Sequence, residues 1–543
     1  MAVERVHNMT DYESTIRDFR ISVPARFNFA RDVVGAWARD SDHLAMLWVG
    51  RRGEERRITF REFMERAHRF ARVLQQHGIR PGDRVMVQLH REPAWWEVLL
   101  GCSLAGAVAV PGTVLLTPKD IHFRTTLAEG AAYVCDPDNA RKVDEVRGEC
   151  PSLRALFVVG GEAPSDGWAS YEAEMDAAAS APAPVDTAAD DPALIYFTSG
   201  TVGNPKMVLH TQAYGLGHRI TGEFWLDLRP TDVHLNLSET GWAKAAWSSF
   251  FGPWNMGAAL FVQDARGKFS ASETLDVLER YPITTFCAPP TVYRMLVLED
   301  LGARSLPNLR WCVGAGEPLN AEVVQRWKRD VGLEIRDGYG QTETVLLCCN
   351  FPPLEVRPGS MGKPSPGWDV AVIDDDGNAL PPGSEGDIAV RVTPSRPVGL
   401  FREYWRNPEA TAACVRGDWY VTGDRARVDE DGYFWFVGRA DDVIISAGYR
   451  IGPFEVESAL VEHPAVAEAA VVGKADELRG TIVKAFVILV PGRDASDELA
   501  QELQEHVRTV TAPYKYPREV EFVPELPKTI SGKIRRVELR TRG

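Results

Sequence analysis

The sequence predicts an α/β protein: a large N-terminal region of alternating helices and strands, followed by a small α+β unit. Three observations carry this. Stretches with apolar residues three and four apart alternate with short β-branched runs, the pattern of mostly parallel sheets with crossover helices. The length of 543 residues accommodates two to four domains and a sizeable core. Residues 441–543 change texture, with strands and helices no longer in strict alternation, which places a boundary near Arg439–Asp441. The expected division is therefore 1–440 and 441–543.

Taken in order, Thr59–Gly78 reads as an amphipathic helix, because Phe63, Met64, Ala67, Phe70, Ala71 and Leu74 recur on one face and Gly78 closes it. The strand Val85–Leu89, a helix over Pro93–Ala105 and a strand at Val108–Val110 follow. Leu156–Val159 and Ala193–Phe197 are further buried-strand candidates, and the Ala/Pro/Asp-rich stretch Asp176–Pro192 between them is a surface loop. At the C-terminal end come helix Pro453–Glu462, strands Ala467–Val472 and Val483–Leu489, and helix Asp497–Val510.

Composition narrows the function. The 61 basic and 76 acidic residues give a net charge of −15, which argues against a nucleic-acid partner because phosphate neutralisation needs a basic face. Small anionic ligands need only a few local donors and cations. Eight cysteines show no CxxC pair and no histidine at ligand spacing, and the adjacent Cys348 and Cys349 read as buried packing. The charged start lacks a secretory apolar run, and no window approaches the ~18 apolar residues of a membrane span. The expectation is a soluble, cytoplasmic protein.

Four motifs carry chemistry. In YFTSGTVGNPKMVLH (Tyr196–His210) a β-run enters a Gly/Ser/Thr turn that ends in Lys206. Glycines let backbone N–H groups face an anion, hydroxyls add donors and the lysine adds charge, which makes a phosphate cradle. A polar linker is the alternative for such a cluster; the preceding strand and terminal lysine favour the cradle. The spacing does not fit a P-loop, since Gly200 and Gly203 stand too close and Met207 follows the lysine. RDGYGQTET (Arg336–Thr344) offers an aromatic ring between glycines for a purine, and Thr342–Glu343 for phosphate and Mg²⁺. In Gly417–Glu457, Asp424 can accept ribose hydroxyls, Arg439 and Arg450 can reach phosphates, and Asp429–Tyr433 reads as a hairpin turn. LPKTISGKIRR (Leu526–Arg536) holds Lys533 in a loop-like Ser-Gly-Lys context; a solvated basic tail is the alternative.

In this order the four motifs resemble the adenylate-forming superfamily of acyl-CoA synthetases, luciferases and peptide-synthetase adenylation domains, over about residues 30–540. Ser238–Trp254, Pro358–Val370 and Ser446–Glu457 resemble the medium-chain and aromatic acyl-CoA ligases within it. The resemblance implies a large N-terminal domain of α/β subdomains carrying the ATP and acyl sites. It also implies a small, mobile C-terminal domain with a catalytic lysine loop, hinged at Asp441. It implies an ATP-dependent acid–thiol ligase that activates a medium-chain or aryl acid as an acyl-adenylate, releases pyrophosphate and transfers the acyl group to CoA.

By correspondence with the family motifs, Lys533 stabilises the adenylation transition state. Thr198, Ser199, Gly200, Thr201, Gly203 and Lys206 hold the β- and γ-phosphates. Thr342 touches the α-phosphate and Glu343 binds Mg²⁺. Gly316, Glu317, Pro318, Asp337, Gly338, Tyr339, Gly340 and Gln341 surround the adenine. Asp424 and Arg439 take the ribose, and Arg450 binds phosphate. Trp242, Ala246, Trp247, Gly314 and Val345 form the acyl pocket, with Phe250, Phe251 and Trp254 as apolar walls or as core. Ala447, Gly448 and Tyr449 line the CoA tunnel. ATP, CoA and Mg²⁺ are the implied cofactors, and a small carboxylic acid the substrate. Val202 replaces the family's usual Thr or Ser and removes one phosphate-loop hydroxyl. Lys533 resembles the family's sites of reversible acylation, so a lysine acetyltransferase and a deacetylase are expected partners; a homo-oligomer is compatible with the sequence. Loading of a carrier-protein phosphopantetheine and a nucleotide-binding pseudoenzyme stay open as alternatives.

Overall fold

The computed structural model describes residues 6–179, 185–198, 205–446, 449–476, 480–529 and 533–542. Two large sheets and a small C-terminal one organise them. The first has eight strands, ordered Glu403–Tyr404, Met207–Thr211, Pro192–Phe197, Val108–Pro111, Arg84–Gln88, Gly130–Cys135, Ala155–Val158 and Ala169–Ser170. From Pro192–Phe197 to Ala169–Ser170 neighbours are parallel, and the two strands on the other side pair antiparallel. Helices cover its strands, as a parallel sheet requires. Phe60–Gln76 is one of them: Thr59 caps it in a reciprocal capping box with Glu62, and its apolar face (Phe63, Ala67, Phe70, Leu74) is fully buried. Pro93–Ala105 has the predicted bounds, with proline in its first turn and Gly106 closing it at φ +67°.

The second sheet has fourteen strands. Its parallel half runs through Leu44–Val49, Ala259–Gln263, Val233–Asn236, Thr285–Ala288, Trp311–Ala315 and Ile335–Gly340. Beyond Ile335–Gly340 the pairing turns antiparallel, through Leu346–Cys349, Ser360–Pro364, Phe434–Arg439 and Trp419–Val428 to Glu385–Arg391 and Val370–Ile373. Ile335–Gly340 thus sits where the two halves meet, and residues beyond its carboxyl end face a crevice. Asp429–Tyr433 is the turn between Trp419–Val428 and Phe434–Arg439.

In the C-terminal part, Val466–Asp476, Gly480–Leu489 and Glu519–Phe522 form a three-stranded sheet, and Ile444–Ser446 pairs with Tyr449–Ile451 in a separate hairpin. Helices Pro453–Val461 and Asp497–Val510 pack against that sheet around Val456, Leu460, Leu503 and Val507. Cys348 and Cys349 are fully buried packing residues. No helix among the described residues is long and apolar enough to cross a membrane.

Candidate active site

A cavity of about 820 Å³ opens between the crevice of the fourteen-stranded sheet and the C-terminal part. Its walls come from both sides: Thr198, Lys206, Gly316, Tyr339, Thr342, Glu343 and Asp424 from one, Pro453, Glu457, Ala469 and Lys533 from the other.

The phosphate-loop expectations fall partly outside what is described. Ser199, Gly200, Thr201 and Gly203, with Val202, lie outside the described residues, as do Ala447 and Gly448. The described residues on either side are bonded to each other: Thr198 N–H donates to the Lys206 carbonyl at 2.9 Å, and Lys206 N–H to Thr198 Oγ1 at 3.0 Å. Lys206 and Thr198 line the cavity from just beyond the paired ends of the antiparallel strands Pro192–Phe197 and Met207–Thr211.

Opposite them, Asp337, Gly338, Tyr339, Gly340 and Gln341 line the cavity from the end of the central strand. Gly338 and Gly340 allow aromatic backing. A Cβ at Gly338 would lie 2.8 Å from the Trp225 ring, and one at Gly340 would lie 2.8 Å from Trp247 and 2.4 Å from the Val345 carbonyl. Trp225 and Trp247 sit in two π-turns, Thr221–Trp225 and Trp247–Phe251, the kind of helical irregularity that collects at functional sites. Gly316, at φ +107°, turns the chain after Trp311–Ala315 so that Glu317 and Pro318 reach the same wall. Glu317 accepts from Thr291 Oγ1 at 2.8 Å and from Arg294 Nη2 at 3.1 Å.

Charges cluster at the far wall. Asp424 Oδ2 accepts from the Tyr339 hydroxyl and from Gln341 Nε2, each at 2.6 Å, and Gln341 Oε1 accepts from the Tyr420 hydroxyl at 2.9 Å. Arg439 faces Asp424 across the strand pair. Burial raises the Asp424 carboxyl, while Arg439, Tyr339 and Lys533 favour its ionised form. Burial likewise raises Glu343, against a 2.7 Å hydrogen bond from the Tyr404 hydroxyl and the nearby charge of Lys206. Asp337 is pushed up to about 8 by burial, opposed by the Gly338 N–H and by Lys244. His210 donates from Nε2 to the Thr342 carbonyl at 2.8 Å, and burial drives its pKa down to about 3, so it is a neutral prop beneath the Thr342–Glu343 turn.

Lys533 projects into the cavity while its backbone is held by Thr529: Thr529 N–H donates to the Lys533 carbonyl at 2.7 Å and Lys533 N–H to Thr529 Oγ1 at 3.1 Å. Behind it, Arg536 grips both Glu457 carboxylate oxygens at 2.8 Å, and Arg536 and Arg540 both reach Asp442, next to Asp441.

Some expectations are redirected. Arg450, expected at phosphate, is exposed and does not line the cavity: Ile451 takes the buried position of Tyr449–Ile451, so its neighbour points outward. Tyr449 is also exposed and stacks on Tyr514 at 4.3 Å. Trp242, Ala246, Trp247, Gly314 and Val345 do not line the cavity either. Ala246, Trp247 and Val345 are buried behind it, where Trp247 Nε1 donates to the Tyr214 hydroxyl at 3.0 Å. Phe250, Phe251 and Trp254 belong to the core: Trp254 packs on Phe63 and Phe60, and Phe29 packs edge-on against Phe250 and Phe251. The same segment also sends polar side chains to the strand ends, with Ser249 hydrogen-bonded to Asn236 at 2.8 Å and Lys244 Nζ to the Ala315 carbonyl at 2.7 Å. Sequence reasoning missed Lys244, Tyr404 and Tyr420. None carries a local signal; each acquires its place through a partner more than 60 residues away.

Among the described residues no group of three or more His, Cys, Asp or Glu side chains can hold a metal alone. The Glu343 carboxylate, facing the cavity near Lys206 and Thr342, fits Mg²⁺, which takes one or two carboxylates together with substrate phosphates.

The chain is similar to known proteins over nearly its whole length. The AMP-binding enzyme family matches residues 34–405, and the AMP-binding enzyme C-terminal domain matches residues 455–533. The mouse mitochondrial acyl-coenzyme A synthetase ACSM3 is 48% identical over 98% of this chain and 93% of its own length. Human mitochondrial ACSM4 is also 48% identical, over 98% of this chain and 93% of its own length. Among solved structures, the anthranilate CoA ligase AuaEII in complex with anthranoyl-AMP superposes with a TM-score of 0.87 at 31% identity, covering 96% of this chain and 98% of that one. A benzoate CoA ligase from Burkholderia xenovorans LB400 gives 0.84 at 31% identity, covering 95% and 100%. The mitochondrial designation of the synthetases overturns the expected cytoplasmic placement. The charged N-terminal residues argued only against an apolar secretory leader, and amphipathic, arginine-rich targeting segments lack such a run as well.

Proposed function

This chain belongs to the AMP-binding enzyme family, and on that premise we propose that it is an ATP-dependent, AMP-forming acyl-CoA synthetase acting on a medium-chain fatty or aryl acid. The observation that carries the reading is one cavity, lined by Lys533 from the C-terminal part and by Thr342, Glu343 and Asp424 from the main sheet, in a chain 48% identical to acyl-CoA synthetases over almost its whole length.

In the first half-reaction the acid's carboxylate attacks the α-phosphate of ATP, giving an acyl-adenylate and pyrophosphate. No side-chain nucleophile is needed, so positioning and charge stabilisation carry the catalysis. Lys533 supplies a cation where negative charge concentrates between carboxylate and α-phosphate, and Thr342 donates to that phosphate. Lys206 and Thr198, with Ser199, Gly200, Thr201 and Gly203, hold the β- and γ-phosphates. Gly316–Pro318 and Asp337–Gln341 enclose the adenine; Asp424, its carboxylate already aimed by Tyr339 and Gln341, takes the ribose with Arg439. Mg²⁺, held by Glu343, would neutralise phosphate charge. Conversion of the carboxylate to a mixed anhydride then makes it a substrate for the CoA thiol, which displaces AMP.

Residues 441–543 form the mobile C-terminal domain in this reading. Rotation about Asp441 withdraws Lys533 and brings Ala447, Gly448 and Tyr449 to the site for thioester formation, the stage at which the exposed Arg450 would meet phosphate. The acid's chain lies toward Trp247, Val345 and Gly340. Acetylation of Lys533 would remove its charge and switch off the first half-reaction alone.

The test is AMP release with Mg·ATP and CoA across acetate, butyrate, hexanoate, octanoate and benzoate, for the native chain and Lys533→Ala. Turnover peaking at four to eight carbons or at benzoate, with Lys533→Ala inactive in adenylation yet able to form thioester from supplied acyl-adenylate, is the expected result. Native protein silent on every acid would defeat the reading.

A further inference from the structure

Glu343 and Lys206 carry opposite charges, come from different sheets and meet at a residue that belongs to neither motif. Glu343 follows the central strand, Lys206 precedes Met207–Thr211, and Tyr404 lies in the short strand Glu403–Tyr404 paired to Val208 and Leu209. The Tyr404 hydroxyl donates to Glu343 Oε1 at 2.7 Å, and Lys206 Nζ lies 4.6 Å from the centre of the Tyr404 ring. No ion pair within 4.0 Å joins Lys206 to Glu343 among the described residues.

The tyrosine is itself fixed. It is 7% exposed, and its backbone N–H donates to Thr411 Oγ1 at 3.0 Å. Three residues earlier, Phe401 N–H donates to the Glu343 carbonyl at 2.7 Å, so this segment grips Glu343 by main chain and side chain together.

Placing a neutral aromatic between these charges has a consequence. A lysine bonded directly to the carboxylate would compete with a cation for Glu343 and with phosphate for itself. A phenol satisfies one carboxylate oxygen without cancelling its charge, and the face of its ring attracts the ammonium without occupying its three donors.

We propose that Tyr404 is a positioning residue for the first half-reaction, holding Glu343 and Lys206 apart and aimed so that one can take the metal and the other the phosphates of metal–ATP. This rests on the functional reading above, in which Glu343 binds Mg²⁺ and Lys206 binds phosphate.

The test compares Tyr404→Phe, which loses only the hydroxyl, with Tyr404→Leu, which loses the ring as well. Three quantities are read: acid-dependent ATP–pyrophosphate exchange against Mg²⁺ concentration, Mn²⁺ binding to the protein–ATP complex by electron paramagnetic resonance, and thioester formation from synthetic acyl-adenylate and CoA. Tyr404→Phe should raise both the Mg²⁺ needed for half-maximal exchange and the Mn²⁺ dissociation constant about tenfold, the value of one hydrogen bond to a charged group. Thioester formation should stay within about twofold, because that step needs neither the metal nor the β- and γ-phosphates. Tyr404→Leu should also raise the KM for ATP several-fold. Unchanged Mn²⁺ binding in Tyr404→Phe, or equal losses in both half-reactions, would overturn the proposal and leave Tyr404 a packing residue. Absence of acid-dependent exchange in the native protein would instead bring down the functional reading, and this proposal with it.

Discussion

Replacing Gly338 with alanine isolates the contact that sets the floor of the cavity. The added Cβ would lie 2.8, 3.0 and 3.0 Å from Cε2, Cζ2 and Nε1 of Trp225. That ring has no retreat: Trp225 is fully buried, its Nε1 donates to the Arg336 carbonyl at 3.2 Å, and its own carbonyl accepts from Trp311 Nε1 at 2.7 Å. Ordinary contact begins near 3.4 Å, so the strand must give by about half an ångström, toward the cavity. Overpacking of this kind costs about 1–3 kcal/mol. The same shift moves Tyr339 and loosens its 2.6 Å bond to Asp424, and misplacement on this scale lowers kcat/KM for ATP by roughly 10- to 100-fold. Denaturant titration gives the first quantity and ATP–pyrophosphate exchange the second. The decisive variant is Gly338→Ala with Trp225→Leu. The leucine removes all three contacting atoms, so the double variant should bind ATP better than Gly338→Ala alone, with at least about 1 kcal/mol of favourable coupling. Gly338→Ala with unchanged stability and ATP kinetics, or strictly additive losses, would refute the reasoning.

Three further outcomes follow from the same site. Burial holds the Asp337 carboxyl near 8 against an ordinary 3.8, so between those values the folded chain keeps a proton that the unfolded chain has lost, and stability falls as pH rises through that window. Asp337→Asn should flatten that fall and be the more stable by several kcal/mol, to order of magnitude, in urea titrations at pH 8.5; parallel pH profiles for the two proteins would count against it. Arg536→Met strands the buried Glu457 carboxylate and should destabilise the C-terminal part by about 3–5 kcal/mol, seen as earlier proteolytic cleavage there, while Arg536→Met with Glu457→Met should recover most of the loss. Val202→Thr adds a hydroxyl within Tyr196–His210, the stretch read from sequence as a phosphate cradle, and should lower the KM for ATP roughly tenfold, by one charged hydrogen bond; a KM unchanged or raised is the contrary result.

What the sequence determined by itself was local. The helix Phe60–Gln76 is legible because its capping box and apolar face lie within eighteen consecutive residues, and Pro93–Ala105 because proline opens it and glycine ends it. The candidate site was legible as motifs: Lys206, Tyr339, Thr342, Glu343, Asp424 and Lys533, scattered over more than 300 residues, do line one cavity. Roles of side chains within ambiguous segments were not legible. Ser238–Trp254 is rich in aromatic residues, but only its path across the strand ends decides that Phe250, Phe251 and Trp254 go to the core while Lys244 and Ser249 face the sheet. Arg450 reads as a phosphate ligand in sequence and is turned outward by the alternation of a strand only three residues long. Tyr404 carries no signal at all, because its importance lies in two partners, 61 and 198 residues away, that only the order of strands in two sheets brings together. Periodicity and capping act between neighbours in the chain, so a sequence displays them. The pairing of distant side chains depends on how whole sheets pack, and that was decided only by the tertiary structure.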